Sequence, residues 1–208
     1  MFSSRSEAGR LLAQKLFSEI KKAILLAIPR GGVVVADSMR KSLNWPLFLI
    51  ITKKLSAPGN EELAIGAVGK DRASVFLNQE LISQLAIDDD YLDQEINSKI
   101  AQVRERQKKF ASCPGPSLAG KKVVLVDDGI ATGATIIAAV RQARKENPDE
   151  VIVAVPVISR SALSKIKKET DRVIYLESPK LFFSVSQFYR NFDQVSDEEV
   201  KRILKGQE

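Results

Sequence analysis

Five short stretches of this chain are apolar at nearly every position: residues 23–28, 47–51, 123–126, 151–155 and 172–176. A strand with one wet face alternates polar and apolar residues. A strand without alternation is covered on both sides, as in a parallel sheet with helices above and below it. The residues between these stretches carry helical spacing, so the pattern predicts an α/β fold, a five-stranded, mostly parallel sheet with helices on both faces. A chain of 208 residues is expected to form one domain, residues 1–208.

About seventy residues separate the second stretch from the third, too many for a simple crossover. Residues 53–117 are therefore expected to form an inserted unit with its own structure. Residues 64–68 and 74–77, flanking Gly69-Lys70-Asp71-Arg72, suggest a hairpin, and residues 79–86 a short helix. Asp88-Asp89-Asp90 opens a longer helix with Leu92, Ile96, Ile100, Val103 and Phe110 on its buried side. Ser4 with Glu7 reads as a capping box for a first helix, and Ser196 with Glu199 caps a last one. Residues 177–208, expected as a C-terminal segment that contributes to a hood over the sheet, hold five of the aromatic residues, Phe182, Phe183, Phe188, Tyr189 and Phe192.

Composition removes several chemistries. There is no histidine, which excludes imidazole bases, His-dependent nucleophiles and His-ligated metals. A single cysteine, Cys113, in an expected turn with Pro114 and Gly115, excludes an intramolecular disulfide and a thiolate zinc site. The apolar stretches fall far below the ~20 residues of a membrane span. Charges at Arg5, Glu7, Arg10, Lys15, Glu19, Lys21 and Lys22 interrupt any leader-like run, so the expected location is the cytoplasm. The net charge of +6 suits an anionic partner without choosing among nucleic acid, an anionic surface and a phosphorylated metabolite. Residues 104–109, the densest basic stretch, read as the wet face of the long helix.

The most informative segment is Val123-Val124-Leu125-Val126-Asp127-Asp128-Gly129-Ile130-Ala131-Thr132-Gly133-Ala134-Thr135. An apolar strand ends in adjacent carboxylates, and a small-residue loop then enters a helix. Unpaired amides at a helix start, the positive end of its dipole, and the hydroxyls of Thr132 and Thr135 make a phosphate cradle. Two carboxylates at its mouth repel a phosphate unless they serve hydroxyl groups or a metal. One ligand carrying both a phosphate and a polyol accounts for the combination.

Across these thirteen positions the chain resembles the phosphoribosyl-pyrophosphate (PRPP) binding motif of the type I phosphoribosyltransferases. The resemblance implies transfer of a 5-phosphoribosyl group from PRPP to a nitrogenous acceptor, a nucleobase by class, with release of pyrophosphate. It implies that Asp127 and Asp128 bind the ribose hydroxyls, while Gly129, Ile130, Ala131, Thr132, Gly133 and Thr135 hold the 5-phosphate. The family places a pyrophosphate loop after its first core strand, here Pro29-Arg30-Gly31-Gly32. Arg30 would supply a charged fork there and the glycines would supply amides.

A strand order of 2-1-3-4-5 would open both glycine loops into one crevice. Lys53-Lys54, expected at the end of the second strand, looks like the basic pair before the mobile active-site loop of orotate-type members, so residues 55–65 are expected as a lid. Catalytic roles then fall on Asp127, Asp128, Arg30 and Lys53, and pyrophosphate contacts also on Gly31, Gly32 and Lys54. Phe182 is expected to touch the acceptor. Mg2+ is the implied cofactor, bound mainly through PRPP, and a homodimer follows by family analogy alone. Where hypoxanthine- and guanine-using members carry a loop aspartate this chain has Ala131, closer to the adenine-type pattern, so no acceptor is named. A non-catalytic PRPP-sensing regulator that binds nucleic acid is the alternative. With about 22 residues before the first strand and no winged-helix or helix-turn-helix pattern, nucleic acid is not the expected partner.

Overall fold

The computed structural model describes residues 1–110 and 115–206. The expected turn at Cys113-Pro114 lies outside the described residues. Among the described residues, no helix is long and apolar enough to cross a membrane.

The elements run α1 (Arg5–Phe17), β1 (Ile24–Ala27), α2 (Gly31–Leu43), β2 (Leu47–Leu49), β3 (Lys53–Ala57), β4 (Asn60–Val68), β5 (Phe76–Leu77), α3 (Gln79–Gln84) and α4 (Asp89–Lys109). They continue with β6 (Lys122–Val126), α5 (Ala134–Arg144), β7 (Glu150–Val157), α6 (Arg160–Ile166), β8 (Arg172–Glu177) and α7 (Asp197–Lys205). The five expected stretches become β1, β2, β6, β7 and β8, in the order β2-β1-β6-β7-β8. Every pairing in this sheet is parallel, where a mostly parallel sheet was expected.

The pleat explains why the strands lack alternation. Leu25, Ala27, Val124, Val126, Ile152 and Ala154 point to one side and pack with Leu12 and Leu16 of α1, Met39 of α2 and Val200 of α7. Their neighbours Leu26, Val123, Leu125, Val151 and Val153 point to the other side and pack with Ile136 and Val140 of α5 and Ile166 of α6. Both faces are buried, so both sets must be apolar. At the start of α1, Ser4 accepts from the Glu7 amide as expected, but the Glu7 carboxylate accepts from Ser3 N–H, so the reciprocal half of the capping box shifts by one residue.

The insertion gives residues 55–65 a definite form and corrects one expectation. These residues belong to an antiparallel hairpin of β3 and β4, with Ala57 opposite Asn60 and Pro58-Gly59 making the turn. Lys53 and Lys54 do not end the second core strand, because β2 stops at Leu49 and the lysines begin β3. The expected hairpin of residues 64–68 with 74–77 is present as β4 and β5, with Ala67 opposite Phe76. The resulting three-stranded sheet lies between two helices. Leu55, Ala57, Ile65 and Val68 face Leu92, Ile96 and Ile100 of α4, whereas Ala67 and Phe76 face Ala134 and Ala138 of α5. The same helix that opens after the acidic doublet therefore also carries the insertion.

Leu55 is fully buried in a core separate from those of the main sheet. Leu55→Ala should cost about 2–4 kcal/mol locally, and hydrogen exchange should show β3 and β4 losing protection while β1 and β6 keep theirs. Equal loss in both sheets would show that the two cores unfold as one.

Candidate functional site

β1 and β6 are adjacent and in register to their ends, with Ala27 opposite Val126 and the Ile28 amide donating to Val126 O at 2.9 Å. The loops that follow therefore leave side by side, at the point where the chain order reverses across the sheet. They touch. A Cβ on Gly31 would lie 1.8 Å from Asp128 Oδ2, and one on Gly32 would lie 2.7 Å from Val126 O. The glycine pair is required because the first loop lies against the acidic doublet, a steric reason that the sequence alone does not show. The Pro29–Arg30 peptide is cis, and Arg30 is partly exposed at the start of α2.

The doublet is asymmetric. Asp128 Oδ2 accepts from Arg5 Nε at 2.7 Å, and the hydroxyl of Tyr189 donates to Asp128 O at 2.5 Å. Arg5, only 9% exposed, also donates to Asp193 O at 2.8 Å and stacks on the Phe192 ring at 3.7 Å. Asp127 has no such cation. Burial, reinforced by the negative charge of Asp128, pushes its carboxyl well above the usual carboxylate range; the amide of Asp128 and the charge of Arg5 pull it back only in part. Burial and the same Asp128 charge push the Tyr189 hydroxyl up, so it remains a proton donor. The pair thus sets a carboxyl group paired with Arg5 beside one from which burial and that neighbour make a proton hard to remove, a suitable pattern for vicinal hydroxyls.

The phosphate-type loop is narrower than expected. Ile130 is buried, its amide donates to Val157 O and its carbonyl accepts from the Ser159 amide, each at 2.9 Å. The Ile130 amide, expected at the 5-phosphate, is therefore committed to the sheet. Gly129 lies beneath Val185 of the C-terminal segment. Ser159 Oγ donates to Ala131 O at 2.6 Å and pins the next residue. Among the described residues, the amides of Ala131, Thr132, Gly133, Ala134 and Thr135 find no acceptor. Gly133 caps α5 at φ +89°, a conformation that favours glycine. Ala131 and Thr132 are exposed, and Thr135 is partly so.

The lysine pair is split by the pleat of β3. Lys53 points toward α4, where burial first, then the charges of Lys99 and Arg106, depress its ammonium. Lys54 lines a cleft of about 330 Å3 with Ala131, Thr132, Ala134 and Lys165. The two lysines therefore face opposite sides of β3, and Lys54 reaches the rim of the phosphate-type loop. Phe182 packs on Phe188 at 5.0 Å, in a cluster with Phe2 and Tyr189. Three residues at the doublet carry no sequence signal of a role there: Arg5 reads as an ordinary helix charge, and Tyr189 and Phe192 as tail aromatics. Among the described residues, no group of three or more Asp, Glu, Cys or His could hold a metal ion.

Known proteins share this arrangement of loops and sheet. Residues 4–193 match the family model described as the phosphoribosyl transferase domain. Two proteins of Mycobacterium tuberculosis, from strains CDC 1551 and H37Rv and each named "Putative phosphoribosyl transferase", are 40% identical to this chain over 206 residues. The match covers 98% of this chain and 46% of each relative, so the chain spans about half the length of the curated relatives it matches. The crystal structure of TT1426 from Thermus thermophilus superposes with a TM-score of 0.81 at 38% identity, covering 98% of this chain and 97% of that one. AQ2163 from Aquifex aeolicus shares the fold at a TM-score of 0.54 and 14% identity, covering 96% of this chain and 84% of that one.

The asymmetry of the doublet gives opposite stability effects. A carboxyl whose folded value is raised costs nothing below the unfolded range near pH ~4. Its cost grows as pH rises from there toward the raised folded value, because the unfolded chain then gives up its proton more readily. Asp127→Asn keeps the acceptor for the Asp128 amide, so it should raise Tm at pH 7 by ~3 °C, or about 1 kcal/mol. That gain should vanish below pH ~4. Asp128→Asn leaves Arg5 buried without its counter-ion and should cost about 3 kcal/mol. Thermal unfolding that destabilises both variants alike would remove the asymmetry.

Proposed function

The chain belongs to the phosphoribosyl transferase domain family, and on that premise we propose that it transfers a 5-phosphoribosyl group from PRPP to a nitrogenous acceptor, a nucleobase by class, releasing pyrophosphate. One observation carries the proposal. A charge-balanced acidic doublet adjoins five amides without acceptors at the start of α5, and both open beside the loop at Arg30. A ligand with vicinal hydroxyls, a terminal phosphate and a second phosphate group on the other side of the ring would satisfy all three.

In this reading Asp127 and Asp128 hold the ribose hydroxyls, and the amides of residues 131–135, with the hydroxyls of Thr132 and Thr135, hold the 5-phosphate. Arg30 and residues 31–32 face the diphosphate. The bond from the anomeric carbon to the diphosphate oxygen breaks with its electron pair leaving on pyrophosphate, the acceptor nitrogen bonds to that carbon from the opposite face, and the nitrogen gives up its proton to the solvent. Positive charge grows on the sugar ring as the leaving group departs, so the protein acts by orientation and by the fixed negative charge of the doublet. A chain without histidine can do this.

Two carboxyl groups, one already paired with Arg5, do not enclose a metal alone. A magnesium ion carried on the oxygens of PRPP would need few protein ligands, and the carboxyls of Asp127 and Asp128 are the ones at this site that would meet it. Bound there, it would neutralise charge on the departing diphosphate.

The combined change Asp127→Asn with Asp128→Asn should weaken PRPP binding by about 100-fold or more with the fold retained by circular dichroism. Arg30→Ala should weaken PRPP more than ribose 5-phosphate. Equal losses for the two ligands would take Arg30 away from the diphosphate. The decisive assay is PRPP-dependent pyrophosphate release across a panel of nucleobases and small amines. Tight PRPP binding without turnover on any of them would favour the ligand-sensing alternative.

A further inference from the structure

We infer that Arg5 is a positioning residue of the ligand site, acting through Asp128 to aim one carboxylate oxygen at the sugar; this rests on the phosphoribosyl reading above. Arg5 belongs to α1, outside both loops, yet its guanidinium is held on three sides: Nε by Asp128 Oδ2, Nη1 by Asp193 O and its plane by the face of Phe192. A cation this enclosed carries a desolvation cost that an ordinary surface ion pair avoids. Its partner is one of the two carboxyls where the loops converge.

The geometry fixes Asp128 as well as Arg5. Oδ2 is committed to Nε and pressed against the backbone of Gly31, with no room there even for a methyl group. The guanidinium holds Oδ2 and not Oδ1, and Oδ1 is the oxygen of Asp128 that a ligand hydroxyl would meet. The position a Gly31 Cβ would occupy is also 2.9 Å from Arg5 Nε, so one guanidinium meets the acidic doublet and the Arg30 loop together. Arg5 thus supplies the positive charge that allows two adjacent carboxyls to face one ligand. It also locks the side-chain angle at which Asp128 meets that ligand.

The test uses the full chain, with ribose 5-phosphate and inorganic phosphate as probes, in titrations followed by amide chemical shifts. Arg5→Ala should weaken ribose 5-phosphate by about 30-fold, and Arg5→Lys, which keeps the charge, by about 5-fold. Adding Arg5→Ala to Asp128→Asn should cost no further affinity, because the first residue acts through the second. Inorganic phosphate, which needs only residues 131–135, should change by less than about twofold in every variant. Should Arg5→Ala not fold, Phe192→Leu removes the stacking face alone and should weaken ribose 5-phosphate by about 5-fold.

An Arg5→Ala loss that persists undiminished in the Asp128→Asn background, or that affects both probes equally, would overturn the role. So would unchanged affinity for ribose 5-phosphate. A wild-type protein that takes up inorganic phosphate but not ribose 5-phosphate would overturn the functional reading itself, and this role with it.

Discussion

The close approach of two loops at the ends of β1 and β6 is the constraint to which the rest of the molecule is fitted. Parallel pairing carries the strands to Ala27 and Val126 in register, so the chain must turn away twice within one strand spacing. The first turn is accommodated by Gly31 and Gly32, which leave space for Asp128 and for the backbone of residues 126–127. The second places two carboxyls where one charge is hard to hold. A cation from α1 balances it, a hydroxyl from the C-terminal segment holds the Asp128 carbonyl, and that segment is itself tied to the start of the chain by Phe2 N–H to Phe188 O and Arg190 N–H to Phe2 O, each at 2.8 Å. The aromatic contacts Phe2–Tyr189 and Tyr189–Phe192, with rings 5.5 Å and 5.2 Å apart, brace this junction. The doublet is costly at Asp127, where burial and the neighbouring charge disfavour ionisation, and is paired with a cation at Asp128. Carboxyls perturbed in this way cluster at functional sites.

Helix α5 has two tasks, and its composition reflects both. Its amino end carries amides without acceptors, while the small side chains of Ala134 and Ala138 let the three-stranded sheet pack closely along its flank. That contact brings Lys54 to the rim of the phosphate-type loop and adds a cation where the helix dipole already favours an anion. The opposite side of the inserted sheet is sealed by α4 with large aliphatic residues, which gives the insertion its own core.

Much of the fold is legible in the sequence because burial on both faces leaves a local mark, an unbroken apolar run, and because glycine loops follow such runs at fixed places. The hairpin β3–β4 is not legible in this way. Leu55 and Ala57 supply only two inward positions, and Pro58, Gly59 and Asn60, which form its turn, resemble a loop when the strand before them is not recognised. Once β3 is known, the separation of Lys53 from Lys54 follows from the two-residue period of a strand. Ile130 offers a weaker clue: a large aliphatic residue among glycine, alanine and threonine is better explained by burial than by an exposed anion loop, and it is the residue that docks on β7.

The sequence by itself determined the class of fold, the strand-loop-helix segments and the residue types of the candidate site, because periodicity, turn chemistry and helix starts depend on neighbours along the chain. Only the tertiary structure decided which charge balances the doublet, which amides stay free, and which face of β3 meets the cleft. Arg5 and Asp128 are 123 positions apart, and no local pattern encodes a contact made when the first helix, the sixth strand and the tail close on one another.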